Sequence, residues 1–120
     1  MSVNFTFPKT LRLLNASDYS SVFQDVELRV SSKHFLILAK NQHAKQPRLG
    51  IIVAKKNVKL AVQRNRLKRQ LRETFRKQRH ILPCIDIVLL AKKGADLDTN
   101  TAIAEELDYL WRKLKRKATN

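Results

Sequence analysis

Residues 61–79 contain neither glycine nor proline, and Leu67, Leu71 and Phe75 recur through them at four-residue intervals. That spacing predicts one long amphipathic helix from Ala61 to about Arg79, because residues four apart stand above one another on a helix. Its charge narrows the possibilities further. Residues 55–79 hold eleven cations (Lys55, Lys56, Lys59, Arg64, Arg66, Lys68, Arg69, Arg72, Arg76, Lys77 and Arg79) against a single acid, Glu73. On a helical wheel Leu67, Leu71, Thr74 and Phe75 share one arc. Arg66, Lys68, Arg69, Arg72, Arg76, Lys77 and Arg79 cover roughly the opposite half, with Asn65 among them. Such a helix packs one side on a core and turns a cationic strip outward. Arg64 alone projects within the apolar arc, and is expected to cross the sheet edge and serve a groove there.

The whole chain of 120 residues carries 25 Lys+Arg and 10 Asp+Glu, a net +15, so the 25-residue stretch supplies +10 of it. Self-repulsion on that scale suits a polyanionic partner. A merely solvated helix face would alternate its signs in i,i+4 pairs, and like charges at that spacing cost helix stability. A membrane surface fits poorly, since the apolar arc is needed for the core and bears no interfacial Trp. Arg outnumbers Lys on the strip, and its planar fork favours phosphate oxygens and base edges. Nucleic acid is the favoured partner.

Other classes fall away. Cys84 is the single cysteine, which excludes an intramolecular disulfide and a cysteine-based zinc site. No apolar run approaches the ~20 residues of a membrane span, and Met1–Leu14 lacks a signal-peptide layout. These features point to a reduced cytoplasmic protein. Glycine occurs only at Gly50 and Gly94, too sparsely for a glycine-rich phosphate loop. His34, His43 and His80 show no clustered spacing and no Asp/Glu pair is suggestively placed, so each His is expected at the surface or in a loop. No catalytic residue and no protein-bound metal is assigned.

The remaining pattern gives the order α-β-β-α-β-α, an α+β sandwich on a small central sheet, in one domain over residues 1–120. Residues 1–14, with Phe5, Phe7, Leu11, Leu13 and Leu14 around Pro8, suit an extended arm on the core. A first helix, Ala16 to about Asp25, is capped by Asn15 and aligns Tyr19, Val22 and Phe23. Strands are expected at His34–Ala39 and Leu49–Ala54, joined as an antiparallel hairpin by the loop Asn41–Pro47, and at Ile85–Ala91. Lys92, Lys93 and Gly94 form an exit turn. The last helix carries the core stripe Ile103, Leu107, Leu110, Trp111 and Leu114, and residues 115–120 form a basic tail.

The stretch Ala54–Arg76, with its Arg64-Asn65-Arg66 core, Lys68-Arg69, Arg72-Glu73 and Phe75, resembles the signature of the bacterial ribonuclease P protein component. Phe7-Pro8, Leu11-Arg12-Leu13-Leu14, Asp18-Tyr19, Val22-Phe23 and Ala91-Lys92-Lys93-Gly94 extend the similarity over about residues 5–115, and it is greatest to the gammaproteobacterial branch. The resemblance implies a left-handed βαβ crossover through the basic helix. It implies a protein that assists a catalytic RNA, which uses Mg²⁺, in the endonucleolytic removal of the 5′ leader from precursor tRNA. Arg64, Asn65, Arg66, Lys68, Arg69, Arg72 and Arg76 match the surface that docks on the catalytic RNA. Tyr19 and Phe23 match aromatics lining the cleft for the single-stranded leader, with Lys55, Lys56 and Asn57 at its margin. Aromatics at i,i+4 are otherwise usually core, so both roles stay open for Tyr19 and Phe23; Phe35 and Trp111 are expected in the core. The competing function is a non-enzymatic ribosomal or general RNA-binding protein. No membrane and no obligate protein partner is expected.

Overall fold

The computed structural model describes residues 12, 16–41 and 46–119. The arm other than Arg12, the Asn15 cap and His43 lie outside them. In chain order come α1 (Ala16–Gln24), β1 (Leu28–Ser31), β2 (Phe35–Asn41), β3 (Arg48–Ile52), α2 (Ala61–Gln78), β4 (Ile85–Ala91) and α3 (Asn100–Thr119). Short 3-10 turns follow α2 at Arg79–Ile81 and precede α3 at Ala95–Leu97.

The four strands lie in the order β1-β2-β4-β3. β2 runs antiparallel to both β1 and β4, whereas β3 is parallel to β4 and reaches it through α2. Two expectations are corrected by this arrangement. The β2–β3 hairpin does not form, because β4 stands between the two strands. β4 is buried along nearly its whole length, and a strand apolar on both faces belongs at the sheet's centre. The hairpin partner of β2 is instead β1, a strand missing from the expected order, which becomes α-β-β-β-α-β-α; with four residues and only Leu28 and Val30 facing the core, it is too brief for its alternation to stand out. On the outer edge of β3, Arg12 makes a parallel bridge to Leu49.

Period-2 alternation sorts the strand side chains onto two faces. Phe35, Ile37, Ala39, Leu49, Ile85, Ile87 and Leu89 face α2 and α3. There Leu67, Leu71 and Phe75 from α2 meet Ile103, Leu107, Leu110, Trp111 and Leu114 from α3, and all eight are fully buried. Phe75 and Trp111 pack with ring centroids 5.7 Å apart and tilted by 60°, an arrangement that suits the aromatic quadrupoles. The Trp111 indole N–H donates to Thr74 Oγ1 at 3.1 Å, satisfying the polar edge of the ring. α3 begins where the Ala102 amide donates to Thr99 Oγ1 and continues through the basic residues 115–117 to Thr119, so these belong to the helix. Lys117 reaches back to the carbonyl of Arg29.

α1 crosses the opposite face. Val22, fully buried, sits on Leu38 and Val88, with Tyr19, Leu36, Ile52 and Leu90 packed at the rim. Lys40 fixes the helix to β2 by donating to Ser21 Oγ at 3.0 Å. The two sides of the sheet therefore present separate surfaces, joined by the connection from β3 into α2.

Candidate nucleic-acid interface

The outward half of α2 carries most of the predicted strip. Asn65, Arg69, Arg72, Lys77 and Arg79 are exposed and Lys68 is half-buried. Among the described residues, no carboxylate pairs with Lys68, Arg69, Arg72, Lys77 or Arg79. Lys68, Arg69 and Arg72 therefore stand uncompensated on α2 and Arg79 on the turn that follows it, while Lys77, one helical turn beyond Glu73, lies in that carboxylate's field.

Three of the predicted strip or groove residues are engaged within the chain. Arg66 Nε donates to Gln63 Oε1 at 2.8 Å, and its terminal nitrogens reach Asn100 Oδ1 at 2.6 Å and the carbonyls of Asp96 and Asp98 at 3.0 and 3.3 Å. It thus clamps α2 to the segment that precedes α3. Arg76 forms a two-pronged bond with Glu73, at 3.0 and 2.7 Å. The same bond holds the Glu73 carboxyl below its ordinary range and raises the Arg76 guanidinium above its own. Arg64, expected at a sheet-edge groove, folds back onto the carbonyls of Val58 and Lys59 at 3.0 and 2.8 Å. These carbonyls, six and five positions back in the segment that leads into α2, capture its guanidinium. Beside Arg66, a shallow pocket is lined by Val62, Asn65, Arg69, Gln70 and Asn100.

The α1 face is organised as cross-strand rows. Lys40, Asp86 and Arg48 form the first, Leu38, Val88 and Gly50 the second, and Leu36, Leu90 and Ile52 the third. In the first row Arg48 grips the buried Asp86 through two 2.8 Å hydrogen bonds, which raise the guanidinium's pKa. Val22 and Tyr19 cover the second row. Tyr19 lies so close to Gly50 that an added β-carbon would fall 2.5 Å from Cε1 and 2.6 Å from Cζ. Glycine is required there because the ring rests on the backbone itself. The third row stays half-exposed, an apolar floor beyond the helix. Phe23, next to Val22, keeps 45% of its surface open.

Past the parallel ends of β3 and β4, the turn 54–58 is closed by the Asn57 and Val58 amides on the Ala54 carbonyl. Asn57 Nδ2 donates to the Ala91 carbonyl at 3.1 Å, tying this turn to the end of β4. Lys55 and Lys56 project from it, exposed. The pairing of Ile52 with Leu90 puts the open apolar row at this same end of the sheet. Tyr19 and the apolar row thus share the α1 face, with the lysine turn at its end, and α2 carries its outer cations on the other side of the sheet.

One group escaped sequence reasoning. His34 is not a solitary surface histidine: its Nδ1 lies 2.8 Å from Asp98 Oδ2 and 3.1 Å from Glu106 Oε1. Burial disfavours the charged form of Glu106, but hydrogen bonds from Ser32 and from the His34 amide and ring outweigh it, and the carboxyl sits below its ordinary range. His34 and Glu106 are 72 positions apart, so no local spacing could have joined them. His80 is exposed, as expected.

The fold agrees with that of known proteins. The ribonuclease P family matches residues 7–115. The ribonuclease P protein component of Marinobacter nauticus is 51% identical over 112 residues, covering 93% of this chain and 84% of that one. The Escherichia coli component is 47% identical over 117 residues, 97% of each chain. Among solved structures, a mutant of the Staphylococcus aureus RNase P protein superposes with a TM-score of 0.83 at 28% identity, over 89% of this chain and 90% of that one. The Thermotoga maritima RNase P protein gives 0.74 at 30% identity, over 88% and 96%. A family match across this span, with relatives near half identical over almost their full length, decides the assignment: the chain belongs to the ribonuclease P protein family.

Proposed function

We propose that this protein binds the catalytic RNA of ribonuclease P through the outer face of α2 and the 5′ leader of precursor tRNA through the α1 face of the sheet. The observation that carries this reading is the run of Lys68, Arg69, Arg72, Lys77 and Arg79 along the outer side of α2 and the turn after it, none of them in an ion pair among the described residues. Phosphates brought against it release condensed counterions and relieve the self-repulsion of the strip. Arg64, Arg66 and Arg76 act differently from their neighbours. They hold the helix and its flanking segments in place, with Asn65 and the remaining cations left to face RNA.

A single-stranded leader offers phosphates and unstacked bases. Cations beside aromatic and apolar surface suit both, and stacking tolerates most sequences. Tyr19, Phe23 and the open row Leu36–Leu90–Ile52 supply the surface, while Lys55 and Lys56 supply charge at its end. Lys59 continues the positive path from this turn into α2. A processing factor that meets many different leaders needs such sequence-tolerant contacts.

The protein's part is to raise substrate affinity and to screen repulsion between two RNAs. Mg²⁺ belongs with the catalytic RNA in this reading, because guanidinium and ammonium groups are not metal ligands and they crowd the α2 face. The scission step is assigned to the RNA and no side chain of the protein to the chemistry.

The test is direct. Added to a bacterial ribonuclease P RNA at low Mg²⁺, where the RNA alone cleaves precursor tRNA poorly, the protein is expected to restore cleavage at the mature 5′ end. Binding to that RNA without restored cleavage would favour the general RNA-binding alternative.

A further inference from the structure

The geometry points to a divalent transition-metal site of the zinc class at His34, Asp98 and Glu106, on the side of the molecule where the β1–β2 turn meets the start of α3. One donor atom from each residue lies within 4.8 Å of the other two. Asp98 Oδ2 and Glu106 Oε1 approach the same ring nitrogen, His34 Nδ1, at 2.8 and 3.1 Å. An imidazole nitrogen carries at most one proton, so two carboxylates converge where one hydrogen is available. Ligands bound at about 2.0–2.2 Å in a tetrahedron around zinc stand roughly 3.3–3.6 Å apart, so the two carboxylate oxygens need only draw back from the ring nitrogen by about half an ångström to admit the ion.

The surroundings orient the donors as outer partners do in metal sites. Glu106 Oε2 is occupied: the His34 backbone amide donates to it at 2.9 Å and the Ser32 hydroxyl donates to it as well. That leaves Oε1 to point at the imidazole. The Cδ2–Nε2 edge of the ring rests against Gly94, whose positive φ of 95° makes the turn that brings it there, so Nδ1 is the nitrogen presented to the carboxylates. The three side chains keep 12%, 29% and 17% of their surface exposed, enough for an ion to enter. One imidazole with two carboxylates favours zinc over magnesium, since nitrogen ligands suit the softer ion and three protein ligands leave a coordination position open. Two negative charges oppose the repulsion from the rest of the chain, including Lys92, whose ammonium donates to the neighbouring Ser32 carbonyl.

Bound there, the ion would clip the β1–β2 turn to α3 and to the segment before it. That segment carries the Asp96 and Asp98 carbonyls that hold Arg66. The site thus bears on the placing of α2 without touching its outer strip.

The experiment uses the full chain carrying Cys84→Ser, His43→Ala and His80→Ala, which removes the other histidines and the thiol. Zinc competition against a chromophoric indicator is expected to give one saturable equivalent per chain. His34→Gln and Glu106→Gln should each weaken it by well over tenfold, and Ser32→Ala, which frees Glu106 Oε2, by about 10- to 100-fold. His34 is then the sole histidine, so its ring resonances read the site without any further substitution. They should shift on zinc addition and stop shifting at one equivalent. Resonances that stay fixed, no saturable zinc, or binding that survives His34→Gln and Glu106→Gln would overturn the assignment.

Discussion

Replacing Lys68, Arg69 and Arg72 together by Gln should flatten the salt dependence of binding to the catalytic RNA. Each lost phosphate contact removes about 0.7–0.9 from the slope of log affinity against log salt, so three remove about 2–3. The three residues are chosen because among the described residues none pairs with a carboxylate, and their side chains leave the α2–α3 packing untouched. Affinity should fall steeply at low salt, and the difference from the parent should shrink as salt rises. Circular dichroism should show the helices intact, since removing like charges at i,i+3 and i,i+4 favours a helix. Salt titrations of binding read the slope; an unchanged value would remove α2 from the interface. Arg66 is left out deliberately. Three of its four hydrogen bonds bind α2 to the start of α3 and the approach to it, so its loss would mix docking with folding.

The second large effect concerns the substrate. Tyr19→Ala combined with Phe23→Ala should weaken precursor tRNA binding by about 5- to 150-fold for each stacked base lost. Mature tRNA has no leader, and its binding should barely change. Gly50→Ala is a useful companion, since the new methyl would lie 2.5 Å from the Tyr19 ring and push it off the sheet. It should reproduce much of the Tyr19 loss with the aromatic still present. Binding of the two tRNAs to the assembled holoenzyme, measured side by side, gives the answer. Equal losses for both substrates would make these aromatics structural only. Val22 is the comparison within the same helix: it is fully buried on Leu38 and Val88, so its truncation should act on stability.

The elements that declared themselves in the sequence are those whose evidence is local. Leu67, Leu71 and Phe75 mark α2, and Ile103, Leu107, Leu110, Trp111 and Leu114 mark α3; every one is buried. The alternation of Phe35, Ile37 and Ala39 against Leu36 and Leu38 correctly divided β2 between two covered faces. What stayed hidden depends on contacts between distant segments. A loop of hairpin length cannot reveal that β4 will insert between β2 and β3. A helical wheel places Arg66 on the solvent side but cannot show that Asn100 and the carbonyls of Asp96 and Asp98 are waiting there. The same holds for His34, whose carboxylate neighbours come from the far end of the chain. Of the site residues, the exposed cations of α2 were legible from charge and period, whereas the seat of Tyr19 on Gly50 required the sheet.

Two surfaces are assigned to two different RNAs, and cross-linking from single positions separates them. In a Cys84→Ser background, a photoreactive group is attached to Arg72→Cys on α2 or to Tyr19→Cys on α1, and the protein is assembled with catalytic RNA and precursor tRNA. The position on α2 should label the catalytic RNA, and the position on α1 should label the leader upstream of the scission site. Leader labelled from α2, or catalytic RNA alone labelled from both positions, would contradict the account.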